Sequence, residues 1–253
     1  MDLSIVITLR NEAPNIAPLV AEIRAALDGR LDYEIIYVDD GSRDETAATI
    51  RGLAGGFARL RLLRHARSCG QSAAIRTGVK AAQAPTIATL DGDGQNDPAD
   101  ILNLWRIAAA APDAAMLLVA GHRARRRDTL VKRLSSRIAN RVRRRLLGDG
   151  TPDTGCGLKL FRRELFLELP YFDHLHRFLP ALVLRQGGRI VSVAVNHRPR
   201  ERGRSNYGVF DRLWVGISDL LGVMWLQRRA SRPEILAENA DDGALSSQPR
   251  HDG

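Results

Sequence analysis

Strand and helix signals alternate along the first half of the chain, and this alternation constrains the fold more than any other feature of the sequence. Short runs of Val, Ile and Leu predict strands, and apolar residues spaced three and four apart predict helices. Such an order is typical of an α/β fold with a mostly parallel, doubly wound central sheet flanked by helices. The expected strands are 3–9, 33–38, 60–63, 86–90 and 116–120, and the expected helices are 15–28, one from Ser42 or Asp44 to about Leu53, 71–82, and one whose first turn contains Pro98.

The second half of the chain is less regular. We expect strands over 158–161 and 189–195, helices over 164–169, 178–184 and 209–226, and a basic, largely helical segment over 123–145. The domain division that follows is an α/β domain over 1–208, an apolar helix over 209–230 and a disordered tail over 231–253, which is rich in Glu, Asp, Ser, Gly and Pro.

Polar residues stand at the ends of three of the expected strands. Arg10 and Asn11 follow the first strand, Asp39 and Asp40 the second, and Asp91 the fourth. In open parallel sheets, ligands bind beyond the carboxyl ends of the strands. We therefore expect these side chains to meet in one site.

The segment Asp91-Gly92-Asp93-Gly94-Gln95 predicts a metal site. Two carboxylates and an amide oxygen at alternate positions of a glycine-rich turn can face one point, and hard oxygen ligands suit Mg²⁺ or Mn²⁺. The structural alternative is a solvated acidic turn, because an Asp-x-Asp pattern alone is a weak signal. Its position after an apolar strand, with a candidate nucleotide site upstream, favours the metal.

Asp40 is the candidate ligand of a nucleotide. A carboxylate at the end of a strand can accept hydrogen bonds from a nucleobase N–H or from ribose hydroxyls. The alternative is a helix cap with a turn. Because Asp44 can supply that cap, the sequence gives Asp40 no evident structural role.

The charge of the chain favours anionic partners. Lys and Arg number 38 and Asp and Glu 29, a formal net charge of +9. The basic segment 123–145 contains Asp128 as its one acidic residue and no aromatic residue, so it cannot stack on bases. We expect a lipid phosphate or an anionic membrane surface as its partner rather than nucleic acid, with a solvated basic face as the alternative.

The expected helix over 209–226 is broadly apolar apart from one stripe that contains Asp211 and Asp219. A core helix, an interfacial helix on a membrane and a contact for a partner subunit all stay open, and Asp219 argues against a spanning helix. No signal-peptide pattern and no run of 18 apolar residues are found. Cys69 and Cys156 form no disulfide framework and no zinc motif, which suits a reducing cytosol. We expect a cytoplasmic protein at the cytoplasmic face of the membrane.

Seven motifs follow one another along the chain. They are ITLRNE (7–12), VDDGSRDET (38–46), GQSAAIRTG (70–78) and DGDGQNDP (91–98), then GHR (121–123), DTGCGLK (153–159) and RERGRSNYG (200–208). The first four, in order, resemble the inverting family 2 glycosyltransferases of the GT-A fold. The other three are similar to the branch that includes dolichol-phosphate mannosyltransferase, whose members transfer a sugar to a polyprenyl phosphate. The resemblance covers about residues 3–229.

The resemblance implies roles for the residues at matching positions. A nucleotide-sugar donor would be bound by Thr8, Arg10, Glu12, Asp40 and Gln71, with Arg123 and Arg137 lining its phosphate site and Arg200, Arg204 and Ser205 closing over it. Asp91, Asp93 and Gln95 would hold the metal. The loop that contains Asp153 would lie by the acceptor, and by position in the resemblance His174 and His176 would belong to an acceptor loop, with a structural role as the alternative for each. The branch usually has Lys where this chain has Asn206, so a phosphate-neutralising charge is missing and Arg204 is the candidate replacement.

A phosphate monoester acceptor determines which catalytic groups are needed. Its second pKa is about 6, so it is largely a dianion at pH 7 and needs little or no general base. The catalytic candidates are then Asp91 and Asp93, which with Gln95 would hold the metal, and Arg123: the metal and the arginines would stabilise the leaving nucleoside diphosphate, and Asp153 would position the acceptor.

Two alternatives stay open. One is a family 2 transferase acting on a saccharide hydroxyl, which needs a base, and Asp153 is its one candidate. The other is a basic nucleic-acid-binding protein on a degenerate nucleotide-binding fold, which needs neither Asp91 nor Asp93. A membrane-protein partner or a second copy of the chain also stays open.

Overall fold

A computed structural model of the protein describes residues 1–123, 143–199 and 211–231. Short 3₁₀ helices lie at Ala114–Met116 and Leu175–Arg177. The strands are β1 (Leu3–Leu9), β2 (Tyr33–Asp39), β3 (Leu60–Arg64), β4 (Thr86–Asp91), β5 (Leu117–Arg123), β6 (Lys159–Arg162) and β7 (Arg189–Val195). The helices are α1 (Ala13–Leu27), α2 (Thr46–Ala54), α3 (Gln71–Ala81), α4 (Asp100–Ala109), α5 (Arg163–Glu168), α6 (Leu179–Arg185) and α7 (Asp211–Arg228).

The seven strands form one sheet in the order β3-β2-β1-β4-β6-β5-β7. All neighbours pair in parallel except β6, which runs antiparallel to both β4 and β5. The predicted mostly parallel sheet is therefore confirmed. Because β6 is reversed, the loop before it lies at the edge of the sheet where β1, β2 and β4 end.

Apolar layers cover both faces of the sheet, which is why β1 and β2 are buried along their whole length. One layer packs α1 and α4 against the sheet through residues such as Ile16 and Leu104. The other packs α3, α5, α6 and α7 through residues such as Val79 and Val223. Helix α3 lies close to β1 because it has a glycine there: a Cβ at Gly78 would stand 2.4 Å from Cγ1 of Val6.

Most of the expected elements are confirmed to within about two residues, but the expected place of Pro98 in the first turn of α4 is wrong. The helix begins at Asp100, and Pro98 lies before it. A turn at Asp97 precedes the helix: its Oδ1 accepts the N–H of Ala99 at 3.0 Å, and its carbonyl accepts the N–H of Asp100 at 3.1 Å. Of the predicted basic segment and tail, residues 124–142 and 232–253 lie outside the described residues.

Helix α7 packs on the domain through one side only. Val223 is fully buried, and the Leu226 carbonyl accepts a hydrogen bond from Nε of Arg185 at 2.9 Å. On the other side, Ile217, Leu221 and Trp225 are 41%, 60% and 59% exposed. The helix is thus partly core and partly an exposed apolar face. Among the described residues, none of the helices combines the length and the hydropathy that a membrane crossing requires.

Candidate active site

Three strand ends meet at one edge of the sheet, as the sequence predicts. In the strand register, Thr8 of β1 lies beside Asp91 of β4, and Leu9 lies beside Asp39 of β2. The loops that follow stay joined to β1, because its carbonyl groups accept the N–H groups of Asp40 and Gly92, each at 3.0 Å. The structure thus brings the predicted nucleotide and metal residues to a common edge.

The Asp91 carboxyl is the most perturbed acid of this edge. Burial, followed by the negative charge of Asp93, raises its pKa to about 6. Its Oδ1 accepts a hydrogen bond from Nε2 of Gln71 at 2.7 Å. A half-buried carboxylate that feels the negative charge of a second carboxylate is the arrangement that a bound cation stabilises, and this electrostatic fit supports a metal at the predicted position.

Gln95 is held by the segment after β7. The side-chain Nε2 of Gln95 donates to the backbone carbonyl of Arg198 at 3.1 Å, and the backbone carbonyl of Gln95 accepts the backbone N–H of Arg198 at 2.9 Å. Its backbone N–H donates to Oδ1 of Asp93 at 3.2 Å. Because the amide nitrogen of the side chain is engaged, the amide oxygen is the end that remains to bind a cation.

Asp40 has a structural role that the sequence did not reveal. Burial raises the pKa of its carboxyl, but hydrogen bonds from the loop over 65–70 outweigh burial and hold the pKa below its ordinary value. The donors are the backbone N–H groups of Cys69 (2.8 Å) and Gly70 (2.9 Å), the Ser68 hydroxyl (2.7 Å) and the His65 ring (2.7 Å). The inference that Asp40 lacks a structural role was wrong; its contact with a nucleotide stays a prediction.

Arg123 and Asp153 form a two-pronged ion pair beside the metal-site candidates. Nε of Arg123 lies 2.6 Å from Oδ2 of Asp153, and its Nη2 lies 2.8 Å from Oδ1. The Gly155 N–H also donates to Oδ1 at 3.1 Å. Both carboxylate oxygens are therefore occupied by donors, and the guanidinium is fixed in direction.

The remaining predicted donor residues lie just after the carboxyl end of β1 or outside the described residues. Arg10 is exposed, whereas Glu12 is buried and its Oε2 accepts a hydrogen bond from Nδ2 of Asn15 at 2.6 Å. The other predicted contacts, Arg137, Arg200, Arg204 and Ser205, and the departure at Asn206 lie outside the described residues.

A polar cavity of about 130 Å³ adjoins Asp91, and three basic residues contribute to its lining. They are Lys159 of β6 and the neighbours His176 and Arg177. Lys159 and Arg177 were not among the predicted site residues, whereas the resemblance had assigned His176 to the acceptor loop. The Lys159 side chain is buried, and its Nζ donates to the carbonyls of Thr154 and Cys156. One signal was present in the sequence: Lys159 is the single charged residue inside the expected strand 158–161.

The chain belongs to glycosyl transferase family 2, because the model of that family matches residues 4–169. It is therefore a glycosyltransferase. It is 37% identical over 239 residues to the dodecaprenyl-phosphate galacturonate synthase of Rhizobium johnstonii, with 92% of this chain and 69% of the relative covered. It is also 31% identical to the undecaprenyl-phosphate 4-deoxy-4-formamido-L-arabinose transferase of Aeromonas hydrophila, with 81% of this chain and 63% of that relative covered.

The expected GT-A fold is confirmed by similar solved structures. Glucosyl-3-phosphoglycerate synthase from Mycobacterium tuberculosis, in complex with Mn²⁺, UDP-glucose and phosphoglyceric acid, superimposes with a TM-score of 0.65 at 19% identity, covering 91% of this chain and 81% of that one. The same enzyme in complex with Mg²⁺ and UDP also gives a TM-score of 0.65, at 20% identity, covering 92% and 80%.

Proposed function

We propose that the protein transfers a sugar from a UDP- or GDP-sugar to a polyprenyl phosphate, with inversion of the anomeric centre, in the modification of cell-envelope glycans or lipids. The observation that carries the proposal is the half-buried Asp91 beside Asp93, next to a cavity lined by cationic side chains. The relatives named for dodecaprenyl and undecaprenyl phosphate support the choice of acceptor.

Mg²⁺ or Mn²⁺ is the proposed cofactor. Asp91, Asp93 and Gln95 would hold it through oxygen atoms, and the mutual repulsion of the two carboxylates is the property that a divalent cation relieves. When bound, it supplies positive charge to the donor diphosphate, which makes the diphosphate a better leaving group. Thr8, Arg10, Glu12, Asp40 and Gln71 are the proposed donor contacts, with Asp40 shaping the loop over 65–70 around the nucleotide.

The proposed transfer needs positioning more than proton movement. An oxygen of the acceptor phosphate dianion forms a bond to the anomeric carbon while the bond from that carbon to the diphosphate oxygen breaks, and the electron pair leaves with the nucleoside diphosphate. Arg123 stabilises the charge that develops on phosphate oxygens, and Asp153 fixes the direction of Arg123.

The Arg123–Asp153 pair also bears on the alternative acceptor. A saccharide hydroxyl would need a base, and Asp153 is the candidate. Because both of its oxygens already accept hydrogen bonds from Arg123, Asp153 is poorly placed to receive a proton. This favours a phosphate acceptor over a hydroxyl acceptor.

The proposed location of the enzyme is an anionic membrane surface. Ile217, Leu221 and Trp225 present an apolar face along α7, and the exposed Arg228 and Arg229 stand at its carboxyl end. Apolar burial together with basic residues is the pattern of a helix that lies in the bilayer interface. A partner subunit on the same face is the alternative occupant.

A donor and acceptor screen tests the proposal. UDP- and GDP-sugars are incubated with the enzyme, Mn²⁺ and either undecaprenyl phosphate or soluble saccharides, and products are read by mass. We expect undecaprenyl phosphate to gain one sugar residue from at least one donor. Sugar transfer to saccharides alone would instead support the hydroxyl-acceptor alternative.

A further inference from the structure

The cavity beside Asp91 is polar and faces several hydrogen-bond donors. It lies between Gln71 at the start of α3, the loop over 154–157 and the segment that holds His176 and Arg177. Its volume of about 130 Å³ is well above the roughly 10–15 Å³ that one water needs, so a group the size of a phosphate fits.

Arg177 differs from Arg123 in having no carboxylate partner within the described part of the chain. Arg123 is neutralised by Asp153 at 2.6 Å, whereas no such ion pair involves Arg177 there. A guanidinium that lines a cavity without a paired carboxylate favours an anionic ligand with several oxygens, because its parallel N–H groups can bind two of them.

His176 is held so that it presents a donor. The Ser72 hydroxyl oxygen lies 2.8 Å from Nδ1 of His176 and accepts the backbone N–H of the same residue at 3.3 Å. Ser72 is fully buried, and Nδ1 is the acceptor that the described residues offer to its hydroxyl proton. This hydrogen-bond pattern assigns the ring proton to Nε2. Burial lowers the pKa of the imidazole well below its ordinary value, so the ring stays neutral at pH 7.

Lys159 supplies a second positive charge. Two of its three N–H donors are used by the carbonyls of Thr154 and Cys156, which leaves one for a ligand. The lining of the cavity therefore contains two cations and one neutral donor together with Asp91.

We propose that this cavity is the acceptor-phosphate subsite, in which Arg177, His176 and Lys159 bind the phosphate monoester with its reactive oxygen towards Asp91. The inference rests on the proposed function and deepens it. The segment that holds His176 is connected to α7, because the ring of His174, two residues earlier, lies 3.0 Å from Oδ2 of Asp219 on that helix. This position of the cavity beside α7 suits a phosphate that carries an apolar chain. From the cavity, the chain can continue over the exposed apolar side of α7.

Binding of farnesyl phosphate, a soluble prenyl phosphate, tests this assignment. Arg177→Gln and His176→Gln are each compared with wild type by equilibrium dialysis, with UDP and Mn²⁺ affinity measured in parallel. Arg51→Gln, at an exposed position of α2 outside the cavity, is the control with the same loss of charge. We expect Arg177→Gln to raise the Kd for farnesyl phosphate about tenfold to a hundredfold, His176→Gln to raise it less, and UDP affinity to change by less than about twofold.

Two further ligands, inorganic phosphate and farnesol, show whether the cavity binds the phosphate group or the prenyl chain of farnesyl phosphate. Inorganic phosphate should compete with farnesyl phosphate and farnesol should not, since the cavity recognises the anion. Tighter binding of farnesyl phosphate than of inorganic phosphate would assign the site to a lipid phosphate, whereas equal binding would overturn that assignment. If Arg177→Gln does not fold, the wild-type protein is treated with phenylglyoxal, which modifies arginine, and the modification of Arg177 is measured by mass spectrometry. Farnesyl phosphate should protect Arg177 from this modification.

The outcomes separate this inference from the proposed function. Wild type that neither binds farnesyl phosphate nor transfers sugar to it would remove both. The cavity assignment alone would be overturned by a different result. In that result, wild type binds farnesyl phosphate and transfers sugar to it, and the Arg177 and His176 variants bind it as tightly as the Arg51 variant does.

Discussion

Substituting Gly157 by alanine moves the Asp91 carboxylate without removing it. A Cβ at this position would stand 2.2 Å from Oδ2 of Asp91 and 2.4 Å from its Cγ. The shorter distance falls about 1.2 Å short of an ordinary van der Waals contact of 3.4 Å. Because Gln71 holds the other carboxylate oxygen, Asp91 cannot shift without losing that hydrogen bond. The substitution therefore displaces a proposed metal ligand by about an ångström.

A displacement of this size has a predictable cost. Misplacing a reacting group by about 1 Å costs on the order of a hundredfold in rate, so Gly157→Ala should lower kcat/KM about a hundredfold and weaken Mn²⁺ binding in the presence of UDP. Overpacking should also reduce the free energy of unfolding by about 1–3 kcal/mol. Electron paramagnetic resonance of free Mn²⁺ measures the affinity. Gly52→Ala, where the new Cβ meets no atom within 4 Å, is the control. If Gly157→Ala retains both Mn²⁺ affinity and turnover, Asp91 is not a ligand in the way proposed.

Four further predictions concern the proposed metal ligand Asp93, the Arg123–Asp153 ion pair, the exposed face of α7 and His176. Asp93→Ala should abolish turnover and leave the melting temperature nearly unchanged, because a loop carboxylate contributes little to the core; full activity after chelation, with residual metal checked, would remove the metal assignment. Asp153→Asn should lower turnover and cost about 3–5 kcal/mol of unfolding free energy in denaturant titrations, because it breaks a largely buried ion pair; Asp113→Asn, which breaks the exposed two-pronged pair with Arg189, should have little effect. Leu221→Glu together with Trp225→Glu should reduce flotation with anionic liposomes, whereas Ala48→Glu at an exposed position of α2 should not; equal flotation of all three proteins would favour a protein partner on α7. Below pH 6.5 the unfolded chain binds a proton at His176 that the native state excludes, so the free energy of unfolding should decrease as the pH is lowered. His176→Gln should reduce this pH dependence of the free energy of unfolding by up to about 1.4 kcal/mol per pH unit.

The sequence predicted the sheet because its strands are strongly apolar and are separated by amphipathic helices. The boundaries of β1 and β7 match the expectation, and the end of β2 differs by one residue. The start of α4 could not be predicted as well, because Asp97 makes a turn that extends past Pro98. The reversal of β6 had no local signal, since its direction depends on pairing with β4 and β5.

The site was predictable to the extent that it lies at strand ends. Asp91, Asp93 and Gln95 are close in sequence, so their proximity follows from the chain itself. The role of Asp40 in binding the loop over 65–70 was not predictable, because its partners are 25–30 residues away. Arg177 and Lys159 were missed for the same reason: they meet only when the segment before α6 packs beside β6.

The chemical structure of the product decides between transfer to a phosphate and transfer to a hydroxyl group. Enzyme, Mn²⁺, a labelled donor found by the screen and undecaprenyl phosphate are incubated, and the product is examined by phosphorus and proton nuclear magnetic resonance. We expect a sugar whose anomeric carbon is bonded to the phosphate oxygen, with its configuration inverted relative to the donor, and one nucleoside diphosphate released per product. A product with retained configuration, or with the sugar attached to a hydroxyl group, would contradict it.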